Sequence, residues 1–510
     1  MGNKKRDTAL PTIIAIALIL FLFASQLFFP GSKLFGHNKQ STFQQVLSLI
    51  DSKYVDAVNL DSLTSTAVEE LLEKLDPHSS YFNSEEVAAS TELLRGHFEG
   101  IGVEFSLFHD TATITYVIPN GPGEKAGLQS GDQLLRANSF SLTGKSVSTD
   151  SIRLLVMGER NSWVELAVFR NQQTVKIKVQ RDRILLPAIS AAYLIEPHTG
   201  YIRLARFSES SYEEFMQAVE QLKKQGAQQL VLDLRGNGGG LLAEAVDIAD
   251  EFLDQDKLIV YTEGQKIGKQ EFRSRRPGQF EKGKVVLLID TFSASASEVL
   301  AGAIQDWCRG KIIGQTSYGK GLVQEEYQLN SGAALRLTVA RYYTPLGRCI
   351  QLPYKAEDTL RNNRYFINPC GDTLKEENGI APQIRTAHNH DSSLLTSVPL
   401  LKAIPLLNKF SFQIYQEYFA KINVKSTPLS LLADTLLIKE IWNKWVRIEN
   451  GSSATRSNYT ATEKVFLIER IVATIARYKW RDNGYFQILN ANDNTIRIAL
   501  ESINSNGYKK

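Results

Sequence analysis

The chain has 510 residues, which is too long for one domain and predicts about three or four. Hydrophobic residues make up 43% and charged residues 22%, a balance normal for globular protein. The net charge is only +3 and no dense Lys/Arg block appears in the body of the chain, which argues against a nucleic-acid partner. None of the three cysteines falls in a C-x-x-C metal or redox spacing, and although Cys349 and Cys370 could pair, the odd count argues against a disulfide framework.

The N-terminal segment carries a signal for location. An apolar stretch from Leu10 to Phe29 follows the basic residues Lys4, Lys5 and Arg6. About 20 apolar residues are enough for a helix to span a bilayer, and the basic flank predicts a cytoplasmic N-terminus. Because no A-x-A-like cleavage site follows, an uncleaved membrane anchor within residues 1–36 is favoured over a cleaved signal peptide. In either case the rest of the chain is expected outside the cytoplasm.

Two kinds of periodicity follow along the chain. Apolar residues at helical spacing predict a helical region over residues 37–95, whose second helix ends at Asp76-Pro77. Alternation with period two then predicts half-buried strands within residues 96–182. These strands are expected at 112–118, 163–169 and 174–179, with Asn171-Gln172 as the hairpin turn between the last two.

Buried strands and amphipathic helices alternate from residue 183 to 390, which is typical of a layered α/β core. The predicted strands are 229–234 and 285–289, and the predicted helices are 241–253 and 297–306. Residues 391–510 return to a helical pattern, clearest at 431–446 and 463–479. No motif identifies the role of this last region, so assembly into a homo-oligomer, partner binding and a purely structural cap all stay open.

A serine cluster follows the second buried strand, in the segment FSASASEVLAGA at 292–303. Ser293, Ser295 and Ser297 alternate, so the pattern alone does not select one of them as a nucleophile. Ser295-x-x-Glu298 fits a helix capping box, which makes a purely structural role the alternative. A hydroxyl at a helix N-terminus nevertheless lies where backbone N–H groups favour negative charge, as an oxyanion needs during acyl transfer.

Lys320 stands between Gly319 and Gly321 in the segment TSYGKGLVQ. A lysine can take the proton of a serine hydroxyl only if burial and neighbours lower its pKa toward neutrality. A solvated lysine on a glycine turn is the plain alternative. The segment also approaches a phosphate-binding P-loop, but Gly321 stands where that motif needs Ser or Thr, so nucleotide binding is not favoured.

The loop Asp233-Leu-Arg-Gly-Asn-Gly-Gly-Gly240 lies between a predicted buried strand and a predicted helix. Its glycines can expose backbone N–H groups to an anion. A dinucleotide-binding fingerprint would need glycine at position 241, where Leu241 stands. An oxyanion-donor loop is therefore favoured over a cofactor loop, and the sequence predicts no cofactor and no metal site.

Together these segments resemble the C-terminal processing proteases, the tail-specific serine peptidases of the S41 type. That family carries a D-x-R-x-N-x-G-G loop, an S-A-S-A-S-E segment and a G-K-G-x-x-Q segment, and all three stand here in the same order. Gly100-Ile-Gly-Val-Glu-Phe105 and Ala126-Gly-Leu-Gln-Ser-Gly-Asp132 resemble the carboxylate-binding loop and the turn of the family's PDZ domain. The resemblance extends from Asn38 to Pro382; Gln383 follows where the family often has Asp, a surface change without bearing on catalysis.

The resemblance implies a role for each motif residue. It makes Ser295 the nucleophile, Lys320 the general base 25 positions later, and Gln324 the group that orients the amine. The implied oxyanion donors are the N–H group of Ala296 and that of Gly239 or Gly240. The implied ligands of a peptide's terminal carboxylate are the backbone N–H groups of Gly100, Ile101, Gly102 and Val103.

For the fold, the resemblance implies a layered α/β (ClpP/crotonase-like) serine protease core at 183–390. It implies an inserted or preceding PDZ domain at 96–182, and helical regions at 37–95 and 391–510. For function, it implies an endopeptidase that cleaves exported proteins with free C-terminal tails. The expected location is the inner membrane of a bacterial cell envelope, crossed once, with the catalytic part on the periplasmic or extracytoplasmic side.

Two other interpretations fit parts of the sequence. The first is a binding module whose PDZ part captures peptide C-termini while the α/β core is inert; intact Ser295, Lys320 and Gln324 argue against it. The second is another hydrolase or hydratase on the same layered core, since fold does not fix function. The PDZ-like segment favours peptides over thioesters as the substrate.

Overall fold

The computed structural model describes residues 41–108, 110–144, 147–354, 364–376, 378–387, 397–418, 426–450 and 459–505. The chain divides into two compact units, Met1–Leu71 and Leu72–Lys510. The predicted anchor at Leu10–Phe29 lies outside the described residues. Within the described ranges, no helix combines the length and apolarity that a membrane span needs.

The first unit contains α1 (Thr42–Lys53) and most of α2 (Leu60–Glu73). Helical spacing predicted both helices. α1 begins at a capping box, in which the Gln44 N–H donates to the Ser41 hydroxyl and the Ser41 N–H donates to the Gln44 side chain. α2 ends shortly before Asp76-Pro77, as predicted.

The second unit begins with β1 (Ser80–Phe82), α3 (Ser84–Arg95) and β2 (His97–Gly100). A small antiparallel sheet with two short helices follows. Its elements are β3 (Val103–Phe108), β4 (Thr111–Val117), α4 (Pro122–Ala126), β5 (Gln133–Ala137), β6 (Phe140–Ser141), α5 (Thr149–Val156), β7 (Trp163–Arg170) and β8 (Gln173–Gln180). The strand order is β3-β4-β5-β7-β8, so β3 lies at an edge. Asn171 and Gln172 both have positive φ between β7 and β8, which confirms the predicted hairpin turn.

The α/β core follows β9 (Asp182–Leu185), which pairs with β2. Its main elements in chain order are β10 (Ile189–Glu196), β11 (Thr199–Leu204), α6 (Ser211–Lys224), β12 (Gln229–Asp233), α7 (Leu242–Asp250), β13 (Leu258–Glu263), β14 (Gln270–Arg273), β15 (Val285–Ile289), α8 (Ala296–Asp306), β16 (Lys311–Gly314), β17 (Leu322–Gln328), β18 (Ala334–Tyr343), β19 (Tyr365–Ile367), β20 (Thr373–Lys375) and β21 (Ile384–Arg385). The central sheet has the order β10-β11-β12-β15-β16-β21 and is parallel from β11 onward. This arrangement confirms the predicted alternation of buried strands and helices.

The two faces of the central sheet are both covered. Alternate side chains such as Leu232 and Leu287 pack against α6, α7 and α8, while their neighbours Val231 and Leu288 face the last helix of the chain. Each of these four strand residues is fully buried, with 0% exposure. Parallel strands buried on both faces read as continuous apolar runs, which is why this part of the sequence was predictable.

A second sheet shows how the small antiparallel domain joins the core. Its path is β1-β18-β13-β14, with β17 also paired to β18. β1 precedes the small domain in the chain, whereas β18 follows it. The two strands pair, with Tyr81 opposite Leu335. The domain is therefore inserted into the core rather than placed before it.

The C-terminal region consists of α9 (Val398–Tyr418), α10 (Pro428–Ala433), α11 (Thr435–Asn450), α12 (Ala461–Asn490) and α13 (Asn494–Asn504). The single helix predicted at 431–446 is wrong. The chain leaves α10 at Asp434, whose carboxylate accepts the N–H groups of Leu436 and Leu437 and starts a new helix there. The helix predicted at 463–479 lies within α12.

The cysteine contact differs from the pairing that the sequence left open. The Cys370 N–H donates to Cys308 Sγ at 3.1 Å, so Cys308 is the thiol beside Cys370. None of the three cysteines, all of which lie in the described part of the chain, forms a disulfide. Burial and the neighbouring thiol of Cys370 raise the pKa of Cys308 to about 12.

Candidate active site

Ser295 occupies the sharp turn between β15 and α8. Its φ of 56° and ψ of −115° lie in a region that residues with a side chain rarely adopt. Such backbone conformations cost of order 1–3 kcal/mol and cluster at functional sites. The turn resembles the strained strand-to-helix elbow that exposes the nucleophile of many hydrolases, and it places the Ser295 hydroxyl at the N-terminus of a fully buried helix.

The three serines of the segment have different environments. Ser293 and Ser297 are both 0% exposed. Their hydroxyls donate to the carbonyl oxygens of Leu234 and Asn237, each at 2.9 Å, and so tie the turn to the neighbouring loop. Ser295 is only half-buried. Accessibility therefore favours Ser295 as the nucleophile, which the alternating sequence pattern alone did not select.

One buried carboxylate organises the surroundings of Ser295. Glu298 Oε2 accepts the backbone N–H groups of Ser295 at 2.8 Å and of Lys320 at 2.9 Å. Glu298 Oε1 accepts the Gly319 N–H at 2.7 Å and the Ser317 hydroxyl at 2.6 Å. Burial raises the pKa of Glu298, and these four hydrogen bonds oppose that rise. Sequence analysis identified Glu298 only as a helix cap. Its second role is to hold the loop that carries Lys320 against the turn that carries Ser295.

Lys320 is half-buried, and its electrostatic surroundings suit a base. Burial and the positive charge of Arg336 lower the pKa of Lys320, while Glu298 opposes the shift. The Tyr342 hydroxyl donates to the Lys320 carbonyl oxygen. Burial raises the pKa of Tyr342 well above its usual value, and a hydrogen bond with the Ser295 side chain opposes that rise. Tyr342, to which sequence analysis assigned no role, thus contacts both segments that carry the predicted catalytic residues.

Gln324 is placed by the turn that ends the N-terminal helical region. Its side-chain amide N–H donates to the carbonyl oxygen of His78. The turn is held by Asp76, whose Oδ1 accepts the N–H groups of His78 and Ser79 at 2.8 Å each. Burial lowers the pKa of His78, and the positive charge of Lys320 lowers it further. Sequence analysis assigned no such function to the Asp76–Ser79 turn.

The predicted oxyanion loop lies directly against the serine turn. A Cβ atom added to Gly239 would lie 2.8 Å from Ser295 Cβ and 3.0 Å from the Ala296 nitrogen. One added to Gly240 would lie 2.0 Å from the Phe207 carbonyl oxygen. The φ angles of Gly239 and Gly240 are 98° and 144°, so both positions need glycine for space and for backbone conformation.

The backbone N–H groups of this region differ in their availability. The Gly239 N–H donates to Asn237 Oδ1 at 2.9 Å and is therefore occupied. Among the described residues we find no acceptor for the N–H of Gly240. Ala296 is the first residue of α8, a position whose N–H has no acceptor within the helix. Within the described residues, the N–H groups of Ala296 and Gly240 are thus the ones available to an oxyanion.

The predicted carboxylate-binding loop connects β2 to the edge strand β3. Gly100 ends β2, Val103 begins β3, and Ile101 between them is 2% exposed. Gly102 has a φ of 70° and packs so closely that an added Cβ would lie 3.1 Å from Pro122 Cδ. An edge strand beside such a loop can receive a peptide as an additional strand.

Comparison with known proteins places the chain in a family. The family model for peptidase family S41 matches residues 198–359, and that for the PDZ domain matches residues 100–180. The chain is 32% identical over 330 residues to a carboxy-terminal-processing protease of Bartonella bacilliformis, covering 62% of this chain and 74% of that one. It is 30% identical over 341 residues to the carboxy-terminal processing protease CtpA of Bacillus subtilis, covering 66% and 72%.

A probable CtpA-like serine protease of Staphylococcus epidermidis is 32% identical over 310 residues, which is 60% of this chain. The chain spans 62% of the length of that relative.

Proposed function

The chain belongs to the carboxy-terminal processing proteases of peptidase family S41, and we propose that it is a serine endopeptidase with Ser295 as nucleophile and Lys320 as base. The observation that carries the proposal is the Glu298 carboxylate, which fixes the backbones of Ser295 and Lys320 through the same oxygen atom. A structural cap alone would not need to bind the lysine loop as well.

In the proposed mechanism, neutral Lys320 accepts the proton of Ser295 as Oγ attacks the carbonyl carbon of the scissile peptide bond. The burial and nearby Arg336 that lower the pKa of Lys320 raise its neutral fraction. The resulting ammonium gives its proton to the leaving amine, and water then hydrolyses the ester on Ser295. The amide of Gln324, fixed by the His78 carbonyl, leaves its own carbonyl oxygen to accept a hydrogen bond from the Lys320 amine.

The oxyanion that forms during each attack would be stabilised by the N–H groups of Ala296 and Gly240. Backbone donors that are held in place before the reaction stabilise the oxyanion far more than solvent water does, because they need no reorganisation. The N-terminus of α8 adds its favourable dipole at the same point. Gly239 would contribute by permitting the close approach of the glycine loop to the Ser295 turn, rather than by donating a hydrogen bond.

For substrates, we propose unfolded exported proteins with free C-termini. The inserted domain offers the edge strand β3 and the glycine loop before it, which suit a peptide's last residues and their carboxylate. Capture there would raise the local concentration of the same chain at Ser295. The buried Ile101 and half-buried Val103 favour an apolar last residue.

A comparison of three tails tests this substrate class. One unfolded substrate would be prepared with a free apolar C-terminus, with an amidated C-terminus and with a terminal Asp. We expect the free apolar tail to be cleaved about tenfold faster than the amidated form, since a charge-assisted hydrogen bond to a carboxylate contributes about 1.5–3 kcal/mol. The Asp tail keeps that carboxylate but should also be cleaved more slowly, because its charged side chain would lose hydration among apolar residues. Initial rates at low substrate concentration are the measurement. Equal rates for the three forms would show that the inserted domain does not select tails.

For location, we propose that residues 10–29 anchor the chain in a membrane, with the catalytic part outside the cytoplasm. The support is the apolar length of this segment after Lys4, Lys5 and Arg6. We expect the protein to stay in the membrane pellet after carbonate extraction and to be digested by protease added from the extracytoplasmic side. A soluble mature protein that begins after residue 24 would show a cleaved signal peptide instead.

A further inference from the structure

The C-terminal helical region, which carries no identifying motif, contacts the inserted domain near the middle of α12 and the oxyanion loop just after the end of α12. α12 is interrupted at Arg481, where φ is 57° and ψ is −154°. The break divides α12 into a long first part and a short second part. The two parts have different neighbours.

The first contact is with the edge strand proposed to bind substrate tails. Glu104 lies on β3, directly opposite Tyr116 on β4. Arg477 Nη1 donates to Glu104 Oε2 at 2.8 Å, and Arg481 pairs with the other carboxylate oxygen while its guanidinium lies 3.5 Å from the Tyr116 ring centre. Burial raises the pKa of Glu104, but Arg477 and Arg481 outweigh it and lower that pKa. Arg477, one turn before the helix break, and Arg481, at the break itself, therefore hold this strand.

The second part of α12 lies on the core strands next to the oxyanion loop. Asn490 donates to the Tyr193 hydroxyl at 2.7 Å, on β10. The Phe486 ring lies 4.5 Å from the guanidinium of Arg203 on β11. Arg203 in turn pairs with Asp233 at 3.0 Å, at the start of the D-x-R-x-N-x-G-G loop. This part of the helix thus follows the strands to the end from which the loop emerges.

The last contact is with the loop itself. Asp493 Oδ2 pairs with Arg235 Nη1 at 2.6 Å, while the remaining donors of Arg235 hold Asp233. Both side chains of the Asp493–Arg235 pair are largely buried, with 12% and 13% exposure. The other oxygen of Asp493 accepts the N–H groups of Thr495 and Ile496 and caps α13. Asp493 thus serves as a helix cap and as a partner of the loop arginine through different atoms.

We propose that Asp493 is a positioning residue for the oxyanion loop, and that the segment 477–493 couples this loop to the edge strand β3. The inference rests on the proposed function and assigns a role in it to the C-terminal region. Arg235 is fixed by Asp233 at the end of β12 and by Asp493 just after α12, so the loop that carries Gly239 and Gly240 depends on where the end of α12 lies. That position depends in turn on the arginine contacts with Glu104.

The first test separates the loop contact from the helix cap. Asp493→Ser keeps a hydroxyl that can cap α13, but the shorter, neutral side chain cannot pair with Arg235 as the carboxylate does. We expect kcat to fall about tenfold with KM within about twofold, less than the 10²–10³ loss caused by removing an oxyanion donor. Glu501→Gln, on the exposed face of α13, is the matched control and should retain wild-type kcat and thermal midpoint. An unchanged kcat in Asp493→Ser, whatever its thermal midpoint, would overturn the proposal.

The second test asks whether the two contacts act together. Glu104→Gln, Asp493→Ser and the double variant would be compared on the free-tailed substrate, with exposed Glu165→Gln of the inserted domain as control. Coupled sites predict that the double variant loses little more than the larger single loss, whereas independent sites predict that the losses multiply. Multiplying losses, or an equal loss in Glu165→Gln, would overturn the coupling. The proposed function is checked separately from both results: the wild-type chain should cleave the substrate, and Ser295→Ala should abolish that cleavage.

Discussion

Ser295→Ala is expected to lower kcat for peptide cleavage by a factor of about 10⁴ or more, with the fold unchanged. The substitution removes one oxygen from a half-buried position and leaves the Glu298 bonds to the Ser295 N–H and the Lys320 N–H in place. Thermal unfolding and kcat of the purified variant are the two measurements. A serine-reactive acylating probe should label Ser295 in the wild type, and peptide mass spectrometry would locate the adduct.

The neighbouring serines supply the control. Ser293→Ala and Ser297→Ala each remove a buried hydroxyl that donates to a carbonyl oxygen, so each should cost about 1–3 kcal/mol of stability. Both variants should keep substantial activity below their lowered thermal midpoints, because neither hydroxyl is accessible to substrate. An adduct on Ser293 or Ser297, or full activity in Ser295→Ala, would contradict the assignment.

Short-range patterns made much of the fold and the candidate site predictable. The central strands were found because strands buried on both faces are continuous apolar runs, and the hairpin at Asn171-Gln172 because its turn needs positive φ. Ser295, Lys320 and the glycine loop stand in local segments whose glycines and helix start indicate their chemistry. Spacing also predicted a helix through Asp434, but a carboxylate that caps the next helix ends the pattern there.

What the sequence did not show depends on contacts between distant segments. Gln324 and the His78 carbonyl are 246 residues apart, and Arg235 and Asp493 are 258 residues apart. No periodicity or spacing links such residues, because their proximity is a product of the complete fold. Glu298 illustrates the intermediate case: its cap to Ser295 is local and was predicted, but its bond to the Lys320 N–H spans 22 residues and was not.

Lys320→Arg is expected to remove activity as completely as Lys320→Ala, although arginine retains the charge and much of the length. A guanidinium stays protonated in proteins, so it cannot take the proton of Ser295. Each variant should lose about 10³-fold or more in kcat, comparable with losing the base of a serine–base pair. Lys176→Arg, on the exposed surface of the inserted domain, is the matched control and should be fully active.

The pH dependence of the wild type tests the same assignment with a defined sign. Burial and then Arg336 lower the pKa of Lys320 below its usual value of 10.5, and the neutral amine is the reactive form. We therefore expect kcat/KM to rise with pH and to level off above the pKa of Lys320, at a pH below 10.5. Arg336→Gln removes a positive charge that disfavours the ammonium, so it should move this rise to higher pH. A profile that Arg336→Gln leaves in place, together with activity in Lys320→Arg, would exclude the amine as base and require another group to activate Ser295.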